Sequence, residues 1–342
     1  MHTTSPATVD EPIDRDSLDA LVAHHGLGVA DVQATLEIAR ARPTREELGR
    51  FVVVLLRLSG VLSMVAGIVF FIAANWAGLG KAERFLLVEA VLVVSCGFAL
   101  WRTPPNSIGR HGALVAFATT GVLLALFGQT YQTGANSYEL FLAWSALGLP
   151  FVMAAQWSVA WGAWLVVLNV ALSLFVGSRA QDGWLWMVVA GANLEHSALL
   201  LLPMMINYSL WGIREYLEQT RWVMSVPSWL GRLALGFGVA YATWAGMRAI
   251  LGTETSARAV LLFVMVAFAG IVAYTIKKRE DVFPVAAVAA SLIVLTTCAL
   301  ADALQKHDEL LFLTLTVWLI ASSAVSGRLI MKLQRAWTDT PP

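Results

Sequence analysis

The sequence predicts an all-α fold: a polytopic transmembrane helical bundle of about ten spans behind a short cytoplasmic N-terminal helical pair. Three observations predict it. Of 342 residues, 58% are hydrophobic and 13% charged, about half the ~25% charge of a soluble globular domain. Charge-free stretches are long, with 23 residues over Leu58–Gly80 and 39 over residues 140–178. Lys and Arg are distributed unequally between alternate loops, as membrane topology requires.

The N-terminal region comes first. Residues 1–10 form a polar tail, and residues 14–26 and 29–41 read as two short amphipathic helices joined at Gly26 and Gly28. The first ~50 residues carry acids and bases and no apolar core stretch, unlike a secretory leader. Pro43-Thr44-Arg45-Glu46-Glu47 reads as a helix start. Thr44 is placed to cap the amide three residues on, and Glu47 to reach back, in the capping-box pattern.

A helix needs about 20 residues to cross ~30 Å of hydrocarbon at 1.5 Å per residue. The expected spans are 51–75, 84–101, 112–130, 139–155, 157–177, 195–215, 229–250, 257–276, 283–302 and 309–331. The 39-residue stretch holds two of them, with a break near Pro150, Gln156 and Trp157. Before the sixth, Trp184–Ala190 is apolar, but Asn193, Glu195 and His196 interrupt it, as a short interfacial helix would. The domains expected are therefore 1–49 (cytoplasmic), 50–334 (bundle) and 335–342 (tail).

Ten spans place both termini on one side. That side collects fifteen Lys and Arg residues, among them Arg45, Arg102, Arg214, Arg232, Lys277 and Arg335, against six opposite, such as Lys81, Arg179 and Arg258. The richer side is expected in the cytoplasm, so the chain reads as a multi-pass protein of a bacterial cytoplasmic membrane. Several of the 14 tryptophans, Trp76, Trp101, Trp157 and Trp229 among them, fall near span ends, where an indole meets both oil and water.

Some classes are excluded. Lys plus Arg equals Asp plus Glu at 23 each, so the basic excess of a nucleic-acid binder is missing. No P-loop, G-x-S-x-G or H-E-x-x-H pattern occurs, so neither catalytic residue, metal site nor cofactor is expected. Cys96 and Cys298 lie in apolar runs and read as small buried hydrophobes.

The chemistry-bearing residues cluster at the non-cytoplasmic ends of the first four spans. Asn75, Gln129, Tyr131, Gln132, Tyr138 and Glu139 lie there, and Glu89 sits about five residues inside the second span. They are expected to form a polar pocket for a small solute, a lipid headgroup or a peptide. A carboxylate at the depth of Glu89 is costly unless donors, a cation or a proton neutralise it. Arg57, near the inner end of the first span, is expected to snorkel. Asn169 and Asn207, inside the fifth and sixth spans, are expected to hydrogen-bond across helices. Glycines such as Gly231, Gly236 and Gly238 are expected to permit close helix approach.

The phrases FIAANW at Phe71–Trp76, RF at Arg84-Phe85, GQTYQTGANSYELFLAW at Gly128–Trp144 and WLVVLN at Trp164–Asn169 resemble an uncharacterised bacterial family of predicted polytopic membrane proteins. The resemblance runs over residues 13–177 and includes the helical pair and the PTREELGR segment. It implies an integral membrane protein with a short cytoplasmic N-terminal region and brings no activity with it. Three functions remain open: a transporter-like or solute-binding protein; a non-catalytic membrane scaffold or accessory subunit docking a cytoplasmic partner through its N-terminal helices; and, ranked last for want of a nucleophile or metal site, an intramembrane enzyme acting on a lipid-linked substrate at the outer face. Membrane lipids are partners under all three.

Topology is testable by labelling in a background where Cys96 and Cys298 are alanine. Ser137→Cys and Thr253→Cys are expected to react with an impermeant maleimide from outside the cell, and Ser107→Cys only after permeabilisation. Reversed labelling at any position contradicts the assignment.

Overall fold

The computed structural model describes residues 45–75, 78–132, 134–177, 196–219, 227–252, 255–278, 281–304 and 308–338. The expected helical pair at 14–41, the Thr44 cap and the Trp184–Glu195 segment lie outside them. Among the described residues there are ten long helices, one four-residue helical turn and no strand. The chain divides into two compact units, residues 1–74 and 75–342.

The described part of the first unit is α1 (Arg45–Ala74). Leu48–Phe71 within it is long and apolar enough to cross a membrane.

The second unit opens with α2 (Lys81–Trp101), α3 (Ser107–Tyr131), α4 (Ser137–Ala155) and α5 (Ser158–Gly177). Each packs on the next as an antiparallel neighbour. Local chemistry sets their ends. Gly80 N–H donates to Glu83 Oε2 at 2.8 Å, so α2 begins three residues before the expected Arg84. Asn106 Oδ1 accepts from the backbone N–H of Ile108 at 3.0 Å, so α3 begins five residues before the expected Gly112. Pro150 does not break the 39-residue stretch. The break falls at Gln156, whose φ of 46° is left-handed and ends α4.

Tryptophan ties these helices together at depth. Trp144 Nε1–H donates to the Phe117 carbonyl of α3, and Trp164 Nε1–H to the Ser145 carbonyl of α4, both at 2.8 Å. An indole N–H in an apolar layer must find an acceptor. Gly121 makes the first bond reachable, because a Cβ there would occupy the position of the Trp144 ring.

The remainder is built around α8. A helical turn, α6 (His196–Leu199), leads into α7 (Leu201–Gln219), α8 (Ser228–Leu251), α9 (Ala257–Lys278), α10 (Val282–Leu304) and α11 (Asp308–Thr338). Helices α5, α6, α7, α9 and α10 all touch α8, and α11 packs on α10. The core joins Phe175 of α5, Met204 of α7, Leu235 and Val239 of α8, and Val264 and Phe268 of α9. α11 runs to Thr338, seven residues past the expected end of the tenth span.

Among the described residues, eight helices are long and apolar enough to cross a membrane; α7 and α8 are not among them. Their composition explains this. α7 carries Arg214, Glu215 and Glu218 in its last two turns. α8 is shielded by its neighbours, with Ala234, Gly238, Ala242, Ala245, Gly246 and Ala249 buried along it. A helix covered by protein needs small packing residues more than lipid-soluble ones.

Buried polar groups fasten this region. Asn169 of α5 and Asn207 of α7 exchange two amide hydrogen bonds, at 3.1 and 2.8 Å. Each Nδ2 also donates to its own helix, to Leu165 O and Pro203 O. Tyr241 Oη of α8 donates to Asn169 O at 3.0 Å and so accepts from Ser173 Oγ at 2.7 Å. Thr243 of α8 donates to Ser291 of α10 at 2.7 Å.

Close approach of α7 and α8 rests on Gly238, where a Cβ would overlap the Tyr208 ring; at Gly236 the nearest atom is 4.0 Å away. Gly238→Ala is expected to cost about 1–3 kcal/mol through overpacking. Gly236→Ala is expected to be neutral or stabilising by up to ~1 kcal/mol, because alanine is the better helix former. Reversible unfolding in mixed micelles checks the order, and equal effects contradict the packing.

Candidate functional site

The residues singled out in the sequence lie at one end of the second unit, in two small groups with the rest exposed around them. Tyr131, the last residue of α3, packs at a tilt on Phe127 at 4.9 Å and meets Phe85 of α2 at 6.1 Å, with Lys81 Nζ 6.0 Å from its ring centre. Tyr138 is 1% exposed, sits edge-on to Phe175 of α5 and donates from Oη to Glu139 Oε1 at 3.2 Å. The Tyr138 ring is therefore part of the core. Asn75 lies in the turn before α2, its carbonyl accepting from Gly78 and Leu79 N–H.

Glu89, Gln129 and Gln132 are exposed. Val88 and Ser95 form the stripe of α2 that is buried, and Glu89 lies just off it. Gln132 caps α3 with φ 45°, a conformation that costs a non-glycine residue about 1–2 kcal/mol.

A more enclosed polar site lies at the opposite end, where α7 and α9 finish and α8 and α10 begin. Arg214, Glu215, Glu218, Arg232, Thr275 and Asp281 surround a cavity of about 270 Å³. α7 delivers three of these charges within five residues, and its helical spacing turns Arg214 and Glu218 to one face. Arg214 Nη1 lies 2.6 Å from both Glu215 Oε1 and Glu218 Oε2, with its side chain 12% exposed. Arg232 of α8 makes two bonds of 3.2 Å to the Asp281 carboxylate, through Nε and Nη2. Asp281 Oδ1 also accepts from Phe283 N–H, so the same carboxylate caps α10.

Beside this cavity lies an apolar one of about 470 Å³ between α7 and α9, lined by Tyr208, Trp211, Tyr216 and Tyr274. Trp211 and Tyr274 meet edge to face at 5.5 Å. Trp211 and Glu215 line both cavities, so they form the partition.

In the sequence, Arg214 and Arg232 register only as charges flanking a loop. The signal for more is their spacing with Glu215, Glu218 and Asp281, three acids beside two bases in the region that is otherwise the most basic.

Residues 19–161 match the family described as predicted membrane protein, DUF2157. That family is a domain of unknown function. The match begins ahead of α1 and ends in the first turn of α5, so the charged cavity lies outside it. The chain is a membrane protein with several transmembrane helices. No curated protein and no solved structure matches it.

Among the described residues no three His, Cys, Asp or Glu side chains gather as a metal site requires. The chemistry on offer is ion pairing beside aromatic surface.

Arg214→Ala leaves the Glu215 carboxylate in the wall without that guanidinium. It is expected to cost about 3 kcal/mol, as when a buried pair loses one partner. Arg232 is half-exposed, and Arg232→Ala is expected to cost under ~1 kcal/mol. Micelle unfolding of the two variants decides, and a cost for Arg232→Ala equal to or above that for Arg214→Ala contradicts the burial described.

Proposed function

We propose that the protein is a multi-pass solute-binding membrane protein of transporter-like character, resident in the bacterial cytoplasmic membrane with both termini in the cytoplasm. One observation carries the reading: five ionisable side chains from α7, α8 and the start of α10 surround a cavity large enough for a small molecule, at the end of the bundle where Lys and Arg are concentrated. Ionised groups are costly near an apolar layer and are commonly placed there for a ligand or ion path. In this reading the solute meets the charges and does not react, since the cavity brings no paired nucleophile and base.

The Asn75, Glu89, Gln129, Tyr131, Gln132, Tyr138 and Glu139 group is proposed as a second polar contact for the solute, at the extracytoplasmic face. It supports the reading less directly, because five of its seven members are exposed and Tyr138 is a packing residue.

The test is a thermal-shift screen of small metabolites on the purified protein in lipid nanodiscs. A ligand at 100 times its Kd adds about 2.7 kcal/mol to stability. At least one compound is expected to raise the midpoint saturably, and Ser228→Phe, which puts a ring into the cavity, is expected to abolish the shift. A screen without any stabilising compound, or a shift that Ser228→Phe leaves intact, contradicts the proposal.

A further inference from the structure

Charge is divided unevenly between the two ends of α2 to α5. Residues 75–177 hold the carboxylates of Glu83, Glu89 and Glu139 and no other acid. Glu83 and Glu139 lie in the first turns of α2 and α4, at the end that carries Tyr131. Glu89 belongs to the same half, since Arg102 follows it by 13 residues, ~20 Å of helix rise. The opposite end holds Arg102, Arg110 and His111.

The turn from α2 to α3 brings these three together. A Cβ on Gly109 would overlap the Arg102 carbonyl, and one on Gly112 would crowd Ser95 and Ala99 of α2. The first turns of α3 therefore lie directly on the end of α2, and Arg110 leaves the chain beside Arg102. His111 Nδ1–H donates to the Ser107 carbonyl at 2.6 Å, and its ring meets that of Trp157, just ahead of α5, at 5.0 Å.

The two arginines are held differently. Arg102 is exposed, and its guanidinium carbon lies 4.7 Å from the ring centre of exposed Trp101. Arg110 is half-buried, and its Nε–H is buried without an acceptor. Among the described residues no carboxylate pairs with the Arg110 guanidinium. Such a group matches a phosphate, whose oxygens accept its N–H bonds in parallel.

The surface around the pair is of two kinds. Leu100, Trp101, Ile108 and Met153 are exposed and apolar, whereas Thr103 and Asn106, in the turn, are exposed and polar. A free anion would use the charges alone. A phosphate carrying hydrocarbon chains uses the charges and the apolar surface together.

We infer that the α2–α3 turn binds the headgroup of an anionic phospholipid, its phosphate against Arg102 and Arg110 and its acyl chains along the exposed apolar surface of α2 and α4. This site is separate from the cavity at the end of α7 and does not depend on the solute-binding reading.

The experiment uses the full chain in a neutral detergent. Dioleoylphosphatidylglycerol and dioleoylphosphatidylcholine are the probes, because they share chains and phosphodiester and differ in net charge. Binding is followed by thermal shift and by native mass spectrometry of the lipid retained. Phosphatidylglycerol is expected to bind saturably, about tenfold more tightly than phosphatidylcholine. Arg102→Gln and Arg110→Gln are each expected to weaken it about fivefold, the share of one charge near an anionic lipid surface. Arg258→Gln, an equal loss of charge from an exposed position at the start of α9, is expected to leave it unchanged. Arg102 is exposed, so its variant is informative even where Arg110→Gln fails to fold.

Equal binding of the two lipids overturns the inference. So does a phosphatidylglycerol preference that survives both substitutions at the turn, or one that Arg258→Gln lowers as much. Inorganic phosphate is the soluble probe. A saturable thermal shift with phosphate alone, lost in Arg102→Gln and Arg110→Gln, assigns the site to a soluble anion and overturns the lipid as its occupant.

Discussion

The reciprocal amide pair between Asn169 and Asn207 is the contact on which the arrangement of the second unit depends. Helices α2 to α5 follow one another as antiparallel neighbours, and such a succession does not by itself say where later helices attach. The amide pair supplies that information. Both side chains are almost wholly buried, and each satisfies the other's oxygen and one N–H. Sliding α7 along α5 by one residue would leave both amide oxygens without their donors and one N–H of each amide without its acceptor, which is costly where no water substitutes. Tyr241 extends the restraint to α8, and Thr243 with Ser291 carries it to α10. A few hydrogen bonds thereby set the level of the helices whose other ends hold Arg214, Arg232 and Asp281.

That restraint bears on function because the charged cavity is assembled from ends of separate helices. Glu215 and Glu218 arrive on α7, Arg232 on α8 and Asp281 just ahead of α10. A shift of one helical residue, ~1.5 Å along the axis, would turn the 3.2 Å Arg232–Asp281 contact into a separated pair. The same cohesion explains how α8 does without high apolarity. Its buried face is made of alanine and glycine because neighbouring helices, rather than lipid, cover it.

Much of the architecture was legible in the sequence, for identifiable reasons. Long charge-free stretches have few meanings, and they located α1 to α5 and α9 to α11, with ends that differ by up to seven residues. Helix ends were less legible. Glu83 and Asn106 set starts that hydropathy ignores, and Gln156 ends α4 by a left-handed turn that no glycine announces. Partner choice was not legible: Asn169 and Asn207 each read as a residue able to bond across helices, but a separation of 38 positions hides which one meets which. Tyr138 illustrates the reverse. Its place beside Glu139 suggested a polar pocket, whereas the face it occupies on α4 turns its ring toward Phe175. The charged cavity escaped notice because topology counting treats Arg214 and Arg232 as loop charges. Their acidic partners lie on the same helix turn or 49 residues away.

The central claim is that the buried amide pair holds the second unit in register, and a double-mutant cycle tests it most directly. Asn169→Ala, Asn207→Ala and the double variant would be unfolded reversibly in mixed micelles. The account predicts a coupling energy of about 1 kcal/mol, within the range measured for hydrogen bonds between membrane helices. In that case the second substitution costs clearly less once the first is present. Strictly additive losses, with no coupling between the two positions, would contradict it.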